Sequence, residues 1–590
     1  MRDGSVAARR DGWRAAFVAV FGIELILKVA IAATLAPFVD EAFYWLESRH
    51  LAWGYSDLPG MTAWLIRLGE DVAGHGLIGM RWPFLLIGAA LPWIVAAMAR
   101  RHFGARAGWQ AGLVCMALPL AGMLGVLALP DVPLTVAIAV AMYALDRAMD
   151  GNRWRDWLLL GVALALAWMT HYRAGMLVLA GLLLMLVTPR GRAQWRRGGF
   201  WLAMGIGVLG LVPLIVSNLE LSGAGLAFQL VDRNPWRFHA NTLIEPIVQA
   251  VAVTPLLYAL LLWALWQCLR QHRRECARAR QPDADTSQDP FARRRAPAPA
   301  NTGTSPQPLW ERACARLRLH HACGQGPWDV LVVMAATFLV GYFVFGLFAD
   351  DTHFRAHWPL PGYLPLAVAL PALLVGKWQC RSWKIWLIAA FALAGAGQLV
   401  GYAYLGATAA GGQALATLDR LKAFPVNFTG WRASAAETQK LLQRMPADTV
   451  LVADNFIDGA ELAFQLDDAR PVYVLDSPLN AKHGRAAQLA VWRLDETGLR
   501  ARQAGRPALL VVDEWILRAH QRPRWLGSLC SRLAGPRFLA REDLYGGRRR
   551  FAFYAARVPA KRLLPMPRDD CAVWRQAYAA EQRLRKRGRG

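Results

Sequence analysis

Residues 15–45 carry the sequence AAFVAVFGIELILKVAIAATLAPFVDEAFYW, in which a long apolar run passes directly into an acidic turn. An apolar run of about 20 residues is long enough to cross the roughly 30 Å of hydrocarbon in a bilayer. No small-residue cleavage site follows the run, so it is predicted to be a retained first spanning helix and not a signal peptide. The chain is therefore predicted to be a membrane protein whose first loop carries ionisable groups.

The composition of the whole chain is typical of the same class. Of its 590 residues, 55% are hydrophobic and only 18% are charged, and the mean hydropathy is +0.24. These values exclude an ordinary soluble enzyme. The formal charge of +25 is assigned to cytoplasmic loops and anionic lipid headgroups, because no nucleic-acid-binding motif accompanies it. Membrane lipids are therefore predicted partners, and nucleic acid is not.

Eleven spans are predicted from the apolar runs. The long runs cover residues 15–36, 77–99, 108–129, 200–216, 243–269, 330–348 and 385–404, and the shorter ones cover 134–145, 157–170, 175–187 and 361–375. The polar residues 170–173 divide the stretch 157–187 into two spans, because one helix of that length would measure about 46 Å. The predicted fold class is therefore a polytopic α-helical membrane protein.

The distribution of charge predicts the orientation of these spans. Loops rich in Lys and Arg stay on the cytoplasmic side. From a cytoplasmic N-terminus, eleven crossings place the basic loops around residues 100–106, 190–197 and 377–384 inside. The same topology places loop 37–76 outside, and that loop has six acidic residues against two basic ones. A bacterial inner membrane with a periplasmic C-terminal region is the predicted location.

Two regions differ in character from the spans. Residues 270–327 are rich in Pro, Ala, Arg, Gln and Asp, which predicts a disordered cytoplasmic linker within the transmembrane domain 1–410. Residues 411–590 are predicted to be a periplasmic α/β domain with a basic tail, because short apolar runs at 449–453, 471–475 and 508–512 alternate with helix-like stretches at 433–444 and 486–493. Among the eight cysteines, Cys530 and Cys571 lie in this domain and are candidates to pair there.

Three acid-bearing turns are predicted at the outer ends of spans. They contain Asp40, Asp131 and the segment 350–359. Ionisable groups at membrane depth are expensive and favour a functional interpretation. The alternative is that Asp40 and Asp131 cap helices and that segment 350–359 is a solvated loop. Capping does not explain why all three turns lie on one face of the bilayer, so a shared site is favoured.

Three stretches resemble a known family. The string DEAFYW at 40–45 with SRHLAWGYSDLPGM at 48–61, the motif LPDVPL at 129–134 and the segment HWPLPGY at 357–363 resemble bacterial membrane glycosyltransferases. These belong to the superfamily of protein mannosyltransferases that use dolichyl-phosphate-mannose and of aminoarabinose transferases that modify lipid A. The resemblance covers residues 15–404 and implies the GT-C fold.

The resemblance also implies a chemistry. Its donor is a monosaccharide on a polyprenyl phosphate, such as undecaprenyl phosphate, and its acceptor is a cell-envelope glycolipid, with protein as the alternative acceptor. Asp40 is then the candidate base that takes the acceptor proton, and Asp131 shares that work or orients the acceptor. Displacement with one base would invert the anomeric centre. Further substrate contacts are predicted at Glu41, Tyr44, Tyr55, Asp57, His171 and His357.

One position departs from the family pattern. Family members carry Lys or His before the first proline of the first loop and often a second proline, whereas Leu58 and Gly60 stand there in this chain. The resemblance assigns that basic residue to the donor phosphate. Another cation would have to replace it, and arginine suits the task by its planar fork and permanent charge. The candidates are Arg49, Arg173, Arg233, Arg237 and Arg355, each with a snorkelling interface cation as the alternative, and His50 is a further source of the missing charge.

A divalent metal is a further candidate cofactor. In the family that these motifs resemble, the acid at the position of Asp57 sometimes binds a metal. His50 and His239 are the other candidate metal ligands. His353 and His357 stand four residues apart, but the HExxH pattern is absent, and hydrogen-bonded interfacial histidines are the alternative. The competing function is a flippase that moves a lipid-linked sugar without bond chemistry. Such transporters tend to contain internal repeats, which this sequence does not show.

Overall fold

The computed structural model describes residues 3–232, 236–278, 326–349, 356–517, 521–564 and 571–576. A bundle of apolar helices is followed by an α/β domain. The main helices of the bundle are Asp3–Thr34, Val39–Arg49, Met61–Ala73, Leu77–Ala117, Asp131–Gly151, Trp154–Thr170, Ala174–Val187, Gly198–Leu209, Val212–Glu220, Glu245–Val253, Pro255–Arg278, Trp328–Ala349, Leu360–Leu373 and Arg381–Ala410.

Each of the eleven predicted runs is helical over at least part of its length. Within the described ranges, six helices are long and apolar enough to cross a membrane, and two bent helix pairs raise this number to eight. Helix Leu77–Ala117 contains the predicted run 77–99 and the first part of the run 108–129, separated at Gly104, whose φ of 84° is not helical. Glycine adopts such a φ without a steric penalty. The number of eleven spans stays a prediction.

The stretch predicted as the span 243–269 contains a bend that the sequence analysis did not predict. Helices Ala240–Val253 and Pro255–Ala277 meet there at 112°. Thr254 separates them and has a φ of 73°, a value that residues other than glycine rarely adopt. Pro255 has no N–H with which to continue the preceding helix.

The first loop is anchored by a buried ion pair. Arg81 donates hydrogen bonds of 2.8 and 2.7 Å to the carboxylate of Glu41, and both side chains are fully buried. Arg81 also donates to the carbonyl of Leu35, one of the acceptors left without a partner where the first helix ends. Glu41 in turn accepts from the backbone N–H of Ala128. This network fixes the start of helix Val39–Arg49 and therefore the position of Asp40.

The C-terminal domain contains a five-stranded sheet with the order β2-β1-β3-β5-β4. Its strands are β1 Val450–Ala453, β2 Val472–Val474, β3 Pro507–Asp513, β4 Ala534–Leu544 and β5 Arg549–Arg557. Strand β1 runs parallel to β2 and β3, with Leu451 opposite Val472 and Leu509, whereas β5 is antiparallel to β3 and β4. The three predicted strands are confirmed, and the hairpin β4–β5 was not predicted. The helices of this domain are Gly412–Arg420, Trp431–Leu442, Phe456–Gln465, Pro478–Lys482, Ala486–Trp492, Glu496–Gln503 and Arg522–Leu529.

The C-terminal domain packs on the first loop. The rings of Phe43 and Phe456 lie 5.6 Å apart, and those of Trp45 and Phe464 lie 5.2 Å apart. Aromatic pairs at these distances add packing energy beyond the burial of their area. Helix Phe456–Gln465 is thereby held against helix Val39–Arg49.

Two further predictions concern this half of the chain. Cys530 and Cys571 form a disulfide, as predicted. Most of the predicted linker 270–327 and the end of the basic tail lie outside the described residues, although helix Pro255–Arg278 extends into the first part of the linker.

Candidate active site

The two acidic residues singled out in the sequence bind cations and do not cap helices. The residue before helix Val39–Arg49 is Phe38, and Asp40 lies in the first turn with its Oδ1 2.8 Å from Arg485 Nη2. Pro130 precedes helix Asp131–Gly151 without a side-chain cap, and Asp131 Oδ1 lies 2.5 Å from Arg173 Nη2. The capping alternative is therefore wrong for both acids.

The first cluster joins the first loop to the C-terminal domain. Besides Asp40, Arg485 contacts Asp57, whose Oδ2 lies 3.3 Å from its Nε. The carbonyl oxygen of Asp57 accepts a 2.8 Å hydrogen bond from Gln229, a residue of the loop after the span 200–216. Three remote segments thus meet at Asp57.

The second cluster forms around Asp131. His357 Nε2 lies 3.2 Å from Asp131 Oδ1, and the Arg173 guanidinium lies 5.5 Å from the centre of the Trp358 ring. The Nδ1 atom of His171 accepts a 3.1 Å hydrogen bond from the backbone N–H of Arg173. Arg173 Nε is buried and has no hydrogen-bond partner within the described part of the chain. The second and third predicted motifs are therefore in direct contact.

Tyr44 connects the two clusters. Burial and the negative charge of Asp40 raise the pKa of the Tyr44 hydroxyl well above its ordinary value. Tyr44 also lies within electrostatic range of Arg173, the cation that holds Asp131. Asp40, Asp57 and Asp131 thus belong to one charged region at the ends of the apolar helices, which is the arrangement that the shared-site hypothesis requires.

Glu47 is a further acid of this region that the sequence analysis did not single out. Its side chain is buried, and burial together with the charge of Asp57 raises the pKa of Glu47 well above its ordinary value. The region therefore contains a third acid beside Asp40 and Asp57, the two residues that pair with Arg485.

Several predicted site residues have other roles in the structure. Glu41 forms a fully buried ion pair with Arg81. The Tyr55 hydroxyl donates to the backbone oxygen of Glu47. These two side chains support the first loop from within and do not offer a free surface to substrate, because packing and internal hydrogen bonds already satisfy them.

The predicted phosphate ligands are dispersed. Arg49 lies 3.9 Å from Glu70 and 3.7 Å from Asp468, so it joins the first loop to the C-terminal domain and takes no part in either acid cluster. Arg237 is exposed, and its neighbours Trp236 and Phe238 contact the rings of Phe345 and Phe348. Arg233 and Arg355 lie outside the described residues. Of the five predicted arginines, Arg173 is the one whose described contacts place it in the candidate site.

The candidate metal ligands do not come together. Asp57 binds Arg485, and the ring of His50 stacks on Trp492 at 4.9 Å. The backbone N–H of His239 donates to the carbonyl of Leu347, near the end of helix Trp328–Ala349. Among the residues that the structure describes, no group of three His, Cys, Asp or Glu side chains is arranged to hold a metal ion. These residues do not fit a shared metal, and the divalent metal stays a prediction.

Arg485 is the functional candidate that sequence reasoning missed. It lies in a turn of the C-terminal domain, 445 residues from Asp40 along the chain. No motif surrounds it, because its environment is built by side chains from other segments. The remaining signal in the sequence is the excess of acidic over basic residues in the first loop, which indicates that a cation from a distant segment approaches it.

Comparison with known proteins gives related results. Residues 57–216 match the family described as dolichyl-phosphate-mannose-protein mannosyltransferase. A lipid A galacturonosyltransferase, RgtD, from Rhizobium johnstonii is 26% identical over 240 residues, which are 40% of this chain and 50% of that protein. The chain therefore spans about half the length of this curated relative.

The fold is similar to a solved transferase along almost the whole chain. The crystal structure of ArnT from Cupriavidus metallidurans bound to undecaprenyl phosphate has a TM-score of 0.56 and 16% identity, covering 92% of this chain and 98% of ArnT. Its apo state has a TM-score of 0.57, also at 16% identity, covering 94% and 99%. The resemblance that the three motifs indicate is thus confirmed: the chain is a multi-pass helical protein with the GT-C fold of the ArnT and protein mannosyltransferase type.

Proposed function

We propose that this chain transfers a monosaccharide from a polyprenyl-phosphate donor to a glycolipid of the cell envelope. The observation that carries the proposal is the pairing of Asp40 and Asp131 with arginines in one charged region at the ends of apolar helices. A lipid-linked donor needs such a place, because its prenyl chain stays in the bilayer while its phosphate and sugar reach the aqueous boundary. The likeness to RgtD and to ArnT supports the same reaction class.

The proposed chemistry uses one carboxylate and at least one arginine. The acceptor hydroxyl forms a bond to the anomeric carbon, and its proton passes to Asp40. The bond between that carbon and the phosphate oxygen breaks, and its electron pair remains on the departing polyprenyl phosphate. Arg173 stabilises this charge, since its Nε still lacks a partner within the described residues. Asp131 orients Arg173 and the acceptor.

We infer the orientation from the distribution of charge. The acid clusters face the periplasm, the basic loops face the cytoplasm and the membrane is the bacterial inner membrane. A glycolipid acceptor is favoured over protein by the position of the acids at the ends of apolar helices and by the likeness to RgtD, a lipid A galacturonosyltransferase.

The proposal is tested by transfer in reconstituted vesicles that contain undecaprenyl-phosphate sugar and envelope lipids. Asp40→Asn and Asp131→Asn are each expected to lower the release of undecaprenyl phosphate by at least about 100-fold, because the proton acceptor or its partner is lost. Asp71→Asn is the matched control, since Asp71 forms an exposed pair with Arg67 in the same loop. Full turnover in the Asp40→Asn variant would show that another group is the base.

Mass spectrometry of the products separates the alternatives. Sugar found on lipid supports the proposal, whereas sugar found only on protein would replace the glycolipid with a protein acceptor. A flippase would move the labelled donor across the bilayer and release no undecaprenyl phosphate, which would overturn the enzymatic function itself.

A further inference from the structure

A turn of the C-terminal domain inserts into the first loop. Residues 483–485 connect helices Pro478–Lys482 and Ala486–Trp492. Ser56 Oγ donates a 2.5 Å hydrogen bond to the carbonyl of Gly484, and its backbone N–H donates to Gln488. Gly484 has a φ of 72°, and a Cβ built there would lie 2.7 Å from the Phe228 ring. Glycine is required at this point, and it allows the turn to approach two transmembrane-domain loops.

The next residue in the turn, Arg485, is enclosed by the acids and by aromatic rings. Its guanidinium lies 4.3 Å from the ring centres of both Phe43 and Phe456. Only 3% of its side chain is exposed, compared with 31% for its partner Asp40. Asp40 therefore occupies the open side of the ion pair, and the arginine lies behind it.

The guanidinium has unused hydrogen-bonding capacity. Arg485 Nη1 is buried and has no acceptor among the residues that the structure describes, although Nη2 and Nε bind Asp40 and Asp57. A buried donor without an acceptor is costly. Leu58, which follows Asp57, offers no charge of its own. A tetrahedral oxyanion matches the fork of an arginine and would give these donors oxygen acceptors.

We propose that Arg485 binds the phosphate of the lipid-linked donor and that this phosphate displaces Asp40 from the arginine. The inference rests on the proposed function. Without donor, the pair with Arg485 holds the Asp40 carboxylate and makes it a weak base. With donor, Arg485 turns to the phosphate, and Asp40 becomes free to receive the acceptor proton while the bond between the anomeric carbon and the phosphate oxygen breaks. Arg485 then stabilises the negative charge that develops on the departing phosphate.

The exchange makes donor binding a condition for base activity. It also makes the C-terminal domain part of the active site, since the transmembrane domain alone lacks the cation of this cluster. Asp57 keeps its contact with Arg485 Nε during the exchange and acts as the fixed anchor of the arginine.

Binding of undecaprenyl phosphate to the purified full chain tests this proposal, with undecaprenol as the uncharged reference lipid. Arg485→Gln is expected to weaken binding of the phosphate lipid by about tenfold or more, because a charge-assisted contact is lost. Asp40→Asn is expected to bind the same lipid several-fold more tightly, since its neutral side chain no longer competes for the arginine. Arg549→Gln is the matched control, because Arg549 is a buried arginine of the same domain that pairs with Asp513.

The outcomes distinguish failure of the proposed function from failure of the inference about Arg485. Failure of the wild-type chain to prefer undecaprenyl phosphate over undecaprenol would overturn the proposed function together with this inference. Normal preference in the wild type with equal affinity in Arg485→Gln would overturn the inference alone. If Arg485→Gln does not fold, as judged by its melting temperature, the Asp40→Asn variant decides, and unchanged or weaker binding in that variant would reject the competition.

Discussion

The carboxylates of the site are held by cations in the absence of substrate. Asp40 and Asp131 each contact an arginine, and each keeps a quarter to a third of its side chain exposed, 31% and 24%. Partial exposure leaves room for a ligand, whereas fully buried pairs such as Glu41 with Arg81 leave none. At the scale of single residues, exposure therefore separates the two acids proposed to meet substrate from the acid that supports the loop.

A buried acid beside the first loop makes stability depend on pH. Glu461 is fully buried, and neither of its oxygens has a hydrogen-bond partner in the described structure. Burial raises the pKa of Glu461 well above its ordinary value of 4.5, although Arg549 opposes the shift. The folded state thus holds a proton that the unfolded state releases, so this contribution to stability is full below the ordinary pKa and is lost as the pH rises towards the raised pKa.

Glu461→Gln is therefore expected to flatten the pH dependence of stability. The melting temperature of the purified wild type should fall more than that of the variant between about pH 5 and pH 8. Glu437→Gln provides the control, because Glu437 pairs with the exposed Lys440. Parallel curves for the wild type and Glu461→Gln would contradict a neutral Glu461 in the fold.

At the scale of elements, the turn at 483–485 depends on one glycine. Gly484→Ala is expected to destabilise the chain by about 1–2 kcal/mol from its left-handed backbone alone. The added methyl group also meets Phe228, so the variant should lower transfer activity as well as the melting temperature. Both quantities are measured on the purified protein.

Gly505→Ala is the matched control for this change. Gly505 has a similar φ of 80°, but a Cβ there has no atom within 4 Å. The control should lose stability without losing activity. If both variants lost activity equally, backbone strain in the domain, and not the approach of the turn to the first loop, would be the cause.

Helices and strands could be predicted where their signal is a local property of the sequence. The spans could be predicted because an apolar run of bilayer length is a local property of the sequence. Strand β1 is buried along its length and consists of apolar residues, so it was predicted as well. Strand β4 was missed because it lies at the edge of the sheet, is partly exposed and contains Pro536 and several charged residues. The bend at Thr254 had no signal beyond Pro255.

At the scale of the whole molecule, the site combines distant segments. The convergence of its motifs could be predicted, because the predicted topology brings Asp40, Asp131 and His357 to the same end of the helix bundle. The partner of Asp40 could not be predicted, since the contact with Arg485 exists only after the C-terminal domain has packed on the first loop. The supporting roles of Glu41 and Arg49 likewise could not be predicted. They follow from the burial of Glu41 and from the contacts of Arg49 with Glu70 and Asp468.

The proposed orientation predicts which cysteines a membrane-impermeant maleimide reaches in spheroplasts. Cys380 is exposed in a loop assigned to the cytoplasm, and the other two free cysteines of the described chain are buried. Cys380 should remain unlabelled until the inner membrane is permeabilised. A cysteine introduced as Lys440→Cys in a Cys380→Ser background should be labelled at once. Labelling of Cys380 in intact spheroplasts would reverse the topology.

The placement of Arg485 has a consequence for biogenesis. Among the described residues, every helix long and apolar enough to span a membrane precedes Arg485, so a ribosome completes these helices before it reaches the codon for this arginine. The domain that carries the arginine must then pack on the first loop. A nascent or truncated polypeptide would therefore lie in the membrane without the arginine that pairs with Asp40. If Arg485 binds the donor phosphate as proposed, competence for transfer arises only after the C-terminal domain has packed on the first loop, so unfinished chains do not consume the isoprenoid carrier.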